Sequence, residues 1–96
     1  MTGVFVTFQY TSAFDESALR KIAEDSRARF VGMPGLRYKV FTIDAARRRA
    51  VNVYVWDSDA AAATFFTPAL QEHVTALYGV RPTIEYAQIA ELVENA

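Results

Sequence analysis

The stretch Pro34–Phe66, PGLRYKVFTIDAARRRAVNVYVWDSDAAAATFF, reads as a strand, a tight turn, a second strand and the start of a helix. Within it, VNVYVW places Val51, Val53 and Val55 on one face and Asn52, Tyr54 and Trp56 on the other, because successive side chains in a strand alternate. The valine face reads as plain core. The opposite face sets an amide in a row with two large aromatics that carry polar tips. Such residues suit an enclosed pocket for a flat, oxygenated organic molecule, since rings supply contact area and an amide supplies orientation.

The two strands, about Leu36–Ile43 and Arg48–Trp56, are joined through Asp44, Ala45, Ala46 and Arg47. With Ala45 and Ala46 as the loop, Asp44 faces Arg47, and the ladder pairs Val40 with Val51, Tyr38 with Val53 and Leu36 with Val55. That register puts Lys39 beside Asn52 and Arg37 beside Tyr54, and a one-residue slip would exchange the faces. The loop carries no Asn-Gly or Asp-Gly signal, so its length is not pinned by turn chemistry.

Upstream, Gly3–Tyr10 has strand periodicity, with Val4, Val6, Phe8 and Tyr10 on one side and Phe5, Thr7 and Gln9 on the other. From about Phe14 to Val31 the positions Ala18, Leu19, Ile22, Ala23, Ser26 and Phe30 form the inner stripe of an amphipathic helix. Ser12 or Asp15 caps it, and Gly32 with Pro34 ends it. Downstream, Asp57 or Ser58 caps a helix from Ala60 to about Phe66, and Thr67-Pro68 restarts a helix with Pro at its first position. Leu70, Val74 and Leu77 continue its stripe to Gly79, and a last strand runs from about Thr83 to Leu92.

The order β-α-β-β-α-β predicts an α+β, ferredoxin-like fold: a four-stranded antiparallel sheet with helices on one face. Strands one and three carry apolar residues on both faces, so the uncovered face predicts a partner sheet, and residues 1–96 are expected to form one domain of a homodimeric α/β barrel. Ninety-six residues suit a single domain. A net charge of −1 and a pI near 5.7 argue against nucleic-acid or anionic-membrane partners. There is no cysteine, hence no disulfide framework or thiolate site. MTGVFVTFQY reads as a strand and not as a signal peptide, and no apolar run reaches membrane-spanning length, so a cytoplasmic location is the expectation.

Pro34-Gly35-Leu36, Lys39 and Phe41-Thr42, followed by Val53-Tyr54-Val55-Trp56 and an Asp-Ser-Asp helix start with alanines, resemble the YdhR-like monooxygenases of the dimeric α/β barrel (ABM-type) superfamily. That family has small residues, often two glycines, before its third-strand aromatics, whereas this chain has Val51-Asn52. An Asn and a Trp four apart on this strand resemble instead the cofactor-independent oxygenases of aromatic polyketides in the same superfamily. The resemblance implies a pocket between sheet and helices in each subunit, with Asn52 and Trp56 in catalytic roles.

The chemistry such residues support needs no metal or flavin, and no cofactor is expected. A polyhydroxylated aromatic that loses a proton becomes an electron-rich anion that reacts with dioxygen directly, and neutral donors such as Asn52 and Trp56 stabilise the oxyanion that develops. The competing reading makes Asn52 a sheet residue satisfied across a dimer interface and Trp56 a core anchor. His73, the single histidine, is a third catalytic candidate as proton acceptor, or an axial haem ligand; its plainer reading is a half-exposed surface residue. One histidine without a second ligand at helical spacing does not make a closed metal site. Tyr54, Gln9, Arg37, Phe41, Phe66 and Tyr78 complete the candidate substrate-binding set, although Phe66 and Tyr78 suit ordinary core equally. A cation at Arg37 or Lys39 would lower the pKa of a bound phenol; both read first as solvated edge residues, and Arg47–Arg49 as a solvated turn. Three functions fit: a cofactor-independent monooxygenase of a small aromatic, polyketide-like molecule; a haem-binding or haem-degrading barrel; and a non-catalytic dimer that binds a small hydrophobic ligand.

Overall fold

The computed structural model describes residues 1–95. Its elements are β1 (Thr2–Gln9), α1 (Glu16–Phe30), β2 (Leu36–Asp44), β3 (Arg49–Trp56), α2 (Asp59–Phe65), α3 (Pro68–Tyr78) and β4 (Thr83–Gln88). The strands form one antiparallel sheet in the order β2-β3-β1-β4, which is the ferredoxin-like arrangement.

Local chemistry sets the helix ends. The Asp15 carboxylate accepts the Ala18 N–H at 3.1 Å and opens α1, with Ser12 lying before the cap. Ser58 does the same for α2 by accepting from Ala61, and the Thr67 hydroxyl accepts from Leu70 as Pro68 begins α3. Gly79 closes α3 at φ +83°, a left-handed conformation that glycine adopts without steric cost. β4 stops at Gln88, four residues short of the expected Leu92, after which the Ile89 N–H still reaches the Met1 carbonyl at 3.0 Å.

The β2–β3 register differs from the sequence expectation. The turn takes four residues, Ala45 to Arg48, because the Asp44 carboxylate accepts both the Arg47 main-chain N–H (3.1 Å) and its guanidinium (2.9 Å), and Arg48 adopts φ +52°. Asp44 therefore pairs with Arg49, Val40 with Val53, Lys39 with Tyr54 and Phe41 with Asn52. A slip by an even number of residues keeps every side chain on its face and changes its neighbours. Phe41, not Lys39, lies beside Asn52.

The helices cover the face formed by Val4, Val6 and Phe8 of β1 and Ala50, Asn52, Tyr54 and Trp56 of β3; its apolar residues with Leu19, Ala62, Phe66, Leu70 and Tyr78 are the core, and Asn52 is buried among them. The valine face is a correction to the sequence reading: it is the open face of the sheet. Val51 and Val53 there are only half-buried, and Phe5 and Val40 are 39% and 50% exposed. Right-handed crossovers put both helical segments on the same side, so among the described residues the other side has no helical cover; the segment after β4 covers part of it, with Ile89 over Gly3 and Val55 only 8% exposed. The helix α1 is seated lightly, with Leu19 its one fully buried residue. The gap between its C-terminal half and β2 positions the site. Among the described residues no helix is long and apolar enough to cross a membrane.

Candidate functional site

Two neighbouring spaces lie between the sheet and the helices. The outer one, about 500 Å³, is bounded by Ala23, Arg27 and Phe30 of α1 and Arg37, Lys39 and Phe41 of β2. The inner one, about 30 Å³, shares Phe30, Lys39 and Phe41 with it and reaches Asn52, Tyr54, His73 and Tyr78. The inner space holds about one water molecule, whereas the outer one falls in the size range of small-molecule pockets.

Asn52 is 5% exposed and donates from Nδ2 to the Tyr78 hydroxyl oxygen at 3.0 Å. The amide is thus satisfied within the chain and not across a sheet-to-sheet interface, because β3 turns it toward the helices. Tyr78 is itself held firmly: its ring stacks on Phe8 at 3.7 Å with 6° between planes, and its main-chain carbonyl accepts the Tyr10 hydroxyl at 2.7 Å. Burial pushes the Tyr78 hydroxyl pKa up, and the Asn52 hydrogen bond draws it partly back. Tyr54 is raised further, by burial foremost, and stays a neutral phenol across the physiological range.

Lys39 departs most from its sequence reading. Although β2 is an edge strand, Lys39 points to the helix-covered face, and its Nζ lies 3.6 Å from the Tyr54 ring centroid and 4.3 Å from those of Phe30 and Phe41. Burial, and after it the nearby Arg29, lowers its pKa to about 7. None of the ion pairs among the described residues includes it. The signal was present in the alternation, which puts Lys39 on one face with Phe41, but only the true register sets it against Tyr54. Arg37 does remain in solvent, 3.5 Å from Asp57, at the rim of the outer pocket.

The remaining candidates divide by place. His73 lines the inner space while most of the residue is exposed. Trp56 is 1% exposed, stacks on Tyr54 at 5.9 Å and 10°, and borders neither space; its indole N–H has no hydrogen-bond partner among the described residues. Phe66 packs against Tyr54 and Trp56 in the core. Gln9 lies on the open face, where its Nε2 donates to the Arg47 carbonyl at 2.8 Å and ties β1 to the hairpin tip. Among the described residues no group of three or more His, Cys, Asp or Glu side chains is arranged to hold a metal ion.

The fold has neighbours among solved structures. A monooxygenase from the ActVA-Orf6 gene of Streptomyces coelicolor, solved in complex with the ligand nanaomycin D, superposes with a TM-score of 0.70 at 17% identity over 99% of this chain and 92% of its own. SnoaB of Streptomyces nogalater, a cofactor-independent oxygenase, gives 0.64 at 17% identity over 98% and 97%. An antibiotic biosynthesis monooxygenase gives 0.65 at 13% identity over 95% and 100%. The chain has the fold of antibiotic biosynthesis monooxygenase domains. No family model matches it, and neither does any curated protein.

Proposed function

We propose that this protein is a cofactor-independent monooxygenase of a hydroxylated polycyclic aromatic, polyketide-like molecule, that it belongs to the YdhR-like branch of its superfamily, and that it works as a homodimer closed through the open sheet face. The observation that carries the reading is the buried Asn52–Tyr78 pair lining a small space that shares the walls Phe30, Lys39 and Phe41 with a pocket of about 500 Å³. The fold shared with SnoaB and the ActVA-Orf6 monooxygenase supports the reaction class.

In this reading the aromatic walls hold a flat substrate and exclude water. The substrate's reactive CH₂ loses a proton, and the resulting anion transfers electron density to dioxygen. A C–O bond forms, the peroxide takes up a proton, and its O–O bond breaks as water leaves and the carbon becomes a carbonyl. The CH₂ and O₂ are thereby converted to C=O and H₂O, with both oxygen atoms accounted for and the substrate supplying all the electrons. Asn52 has a second amide hydrogen available for the substrate oxyanion, and the Tyr78 hydroxyl orients that amide from behind. Removing one preorganised oxyanion donor costs roughly 10²–10³ in turnover.

The test is oxygen uptake with a panel of anthrones and polyphenols. Wild-type protein is expected to consume oxygen with at least one, and Asn52→Ala to lose about a hundredfold or more while retaining its thermal midpoint to within a few degrees. No protein-dependent uptake across the panel would overturn the reading. The haem alternative lacks comparable support, since His73 borders the space of about 30 Å³ and not the one of about 500 Å³.

A further inference from the structure

We propose that Lys39 is the anion partner and proton acceptor of this site, and that the ligand it selects is an acidic phenol or enol bound as its oxyanion against Nζ. The inference rests on the outer pocket being the substrate site, and it adds a residue and a ligand chemistry to that reading.

Three ring faces surround Nζ, and they satisfy its charge without accepting ordinary hydrogen bonds. None of the ion pairs gives it a carboxylate, so its three N–H bonds have no anionic partner among the described residues. A lysine needed only for solubility would extend its four-carbon stem to water. A side chain needed only to fill the box would be apolar. Lys39 is neither, and it stands where the outer and inner spaces meet.

The surrounding charges favour an anion. Arg29 lies near on α1, and Arg27 and Arg37 border the outer pocket with Glu24 as the single acidic residue there. Tyr54, Tyr78 and His73 face the inner side. Burial, and after it Arg29, holds the amine's pKa near 7, so that a substantial fraction is unprotonated at neutral pH. The step balances simply: the ligand O–H gives its proton to the lone pair of Nζ, leaving an oxyanion beside an ammonium ion. Desolvation then strengthens the pair, which forms where water would otherwise screen it.

The probe is 1,2-dihydroxyanthraquinone, a dye whose visible band moves on ionisation. Bound to wild-type protein, its ionisation midpoint is expected to fall by at least one pH unit relative to free dye. Lys39→Met should abolish that shift. Lys39→Arg should keep it, since the guanidinium is a permanent cation, yet lose turnover of any anthrone the wild type oxidises, because arginine does not take up a proton. The chain has two lysines, Lys21 and Lys39, so ¹³C-labelled lysine gives a check that needs no variant. Dye should raise the titration midpoint of the Lys39 Cε resonance by at least one unit and leave Lys21 unmoved. An unshifted dye midpoint, an equal shift in Lys39→Met, an unmoved Lys39 resonance, or no protein-dependent spectral change at millimolar protein would each overturn the proposal. Lys39-dependent dye shifts without oxygen uptake would sustain this inference and remove the oxygenase reading. Oxygen uptake with unchanged rate and pH profile in Lys39→Met would do the opposite.

Discussion

Lys39 makes folding itself sensitive to pH. Its folded pKa of about 7 lies below the roughly 10.4 of an unfolded lysine. Below pH 7 both states carry the proton and the full cost of burying the ammonium is present. Between pH 7 and about 10 the unfolded state binds more protons than the folded one, so stability rises with pH over that window. The ring faces offset part of the cost, leaving an effect on the order of 1 to 3 kcal/mol. Lys39→Met is therefore expected to raise the thermal midpoint at pH 6 by several degrees, with the gain shrinking toward pH 10; an equal gain at both pH values would contradict the burial argument. Trp56 poses a different question at the same scale. Replacing it with Phe loses core volume but also removes an unpartnered buried N–H, whose cost is about 1 to 3 kcal/mol. The two terms nearly cancel, and Trp56→Phe should unfold within about 1 kcal/mol of wild type while keeping oxygen uptake within a few-fold. A hundredfold loss of uptake would bring the indole back into the chemistry.

At the level of elements, two junctions hold the site's walls. Gly35 enters β2 at φ +80°, its carbonyl accepts the Asp57 N–H at 2.8 Å, and a Cβ built on it would stand 2.9 Å from the Ala61 Cβ. Strain and overlap act together there, so Gly35→Ala should destabilise by about 2 kcal/mol or more in a urea titration. The hairpin tip offers the converse case. Arg48 sits at φ +52°, a conformation that costs a non-glycine residue roughly 1 kcal/mol, so Arg48→Gly should raise stability by several tenths of a kcal/mol to about 1. Arg48 lines neither space, so Arg48→Gly should leave ligand binding intact, whereas Gly35 directly precedes the pocket residues Leu36 and Arg37. In contrast, α1 is tied down mainly by Leu19, and its Phe30 ring touches Phe41, Tyr54 and Phe65 edge-on or tilted. This helix ends in the aromatic that lines both spaces.

For the molecule as a whole, the open sheet face is the outstanding feature. Phe5, Val40, Val51 and Val53 present an apolar surface that no helix among the described residues covers, and such patches mark association sites. The proposed two-fold closure predicts a sedimenting species of twice the 10.7 kDa chain mass at micromolar concentration. Phe5→Asp should shift it to monomer, because a carboxylate would be buried on both sides of the axis. A wild-type monomer at that concentration would remove the dimer from the proposal.

Element order and the division of every strand into two faces were legible in the sequence, because they depend on local chemistry: periodicity, the Pro68 restart, and caps narrowed to Ser12 or Asp15 and to Asp57 or Ser58. Asn52 and Tyr54 were recognisable as a chemical face for the same reason. Three matters waited for the tertiary structure. The hairpin register was decided by Asp44 capturing the Arg47 N–H, which lengthened the turn and moved Lys39 from Asn52 to Tyr54. Which face the helices cover, and hence that Val51 and Val53 lie on the other side, was not legible from hydrophobicity, since both faces are apolar; it depended on how the helices dock on the sheet. That Tyr78 would hold Asn52, and that Phe30 would close a ring box over Lys39, depended on how α3 and α1 dock, and side chains 26 residues apart in sequence, as Asn52 and Tyr78 are, meet only through packing.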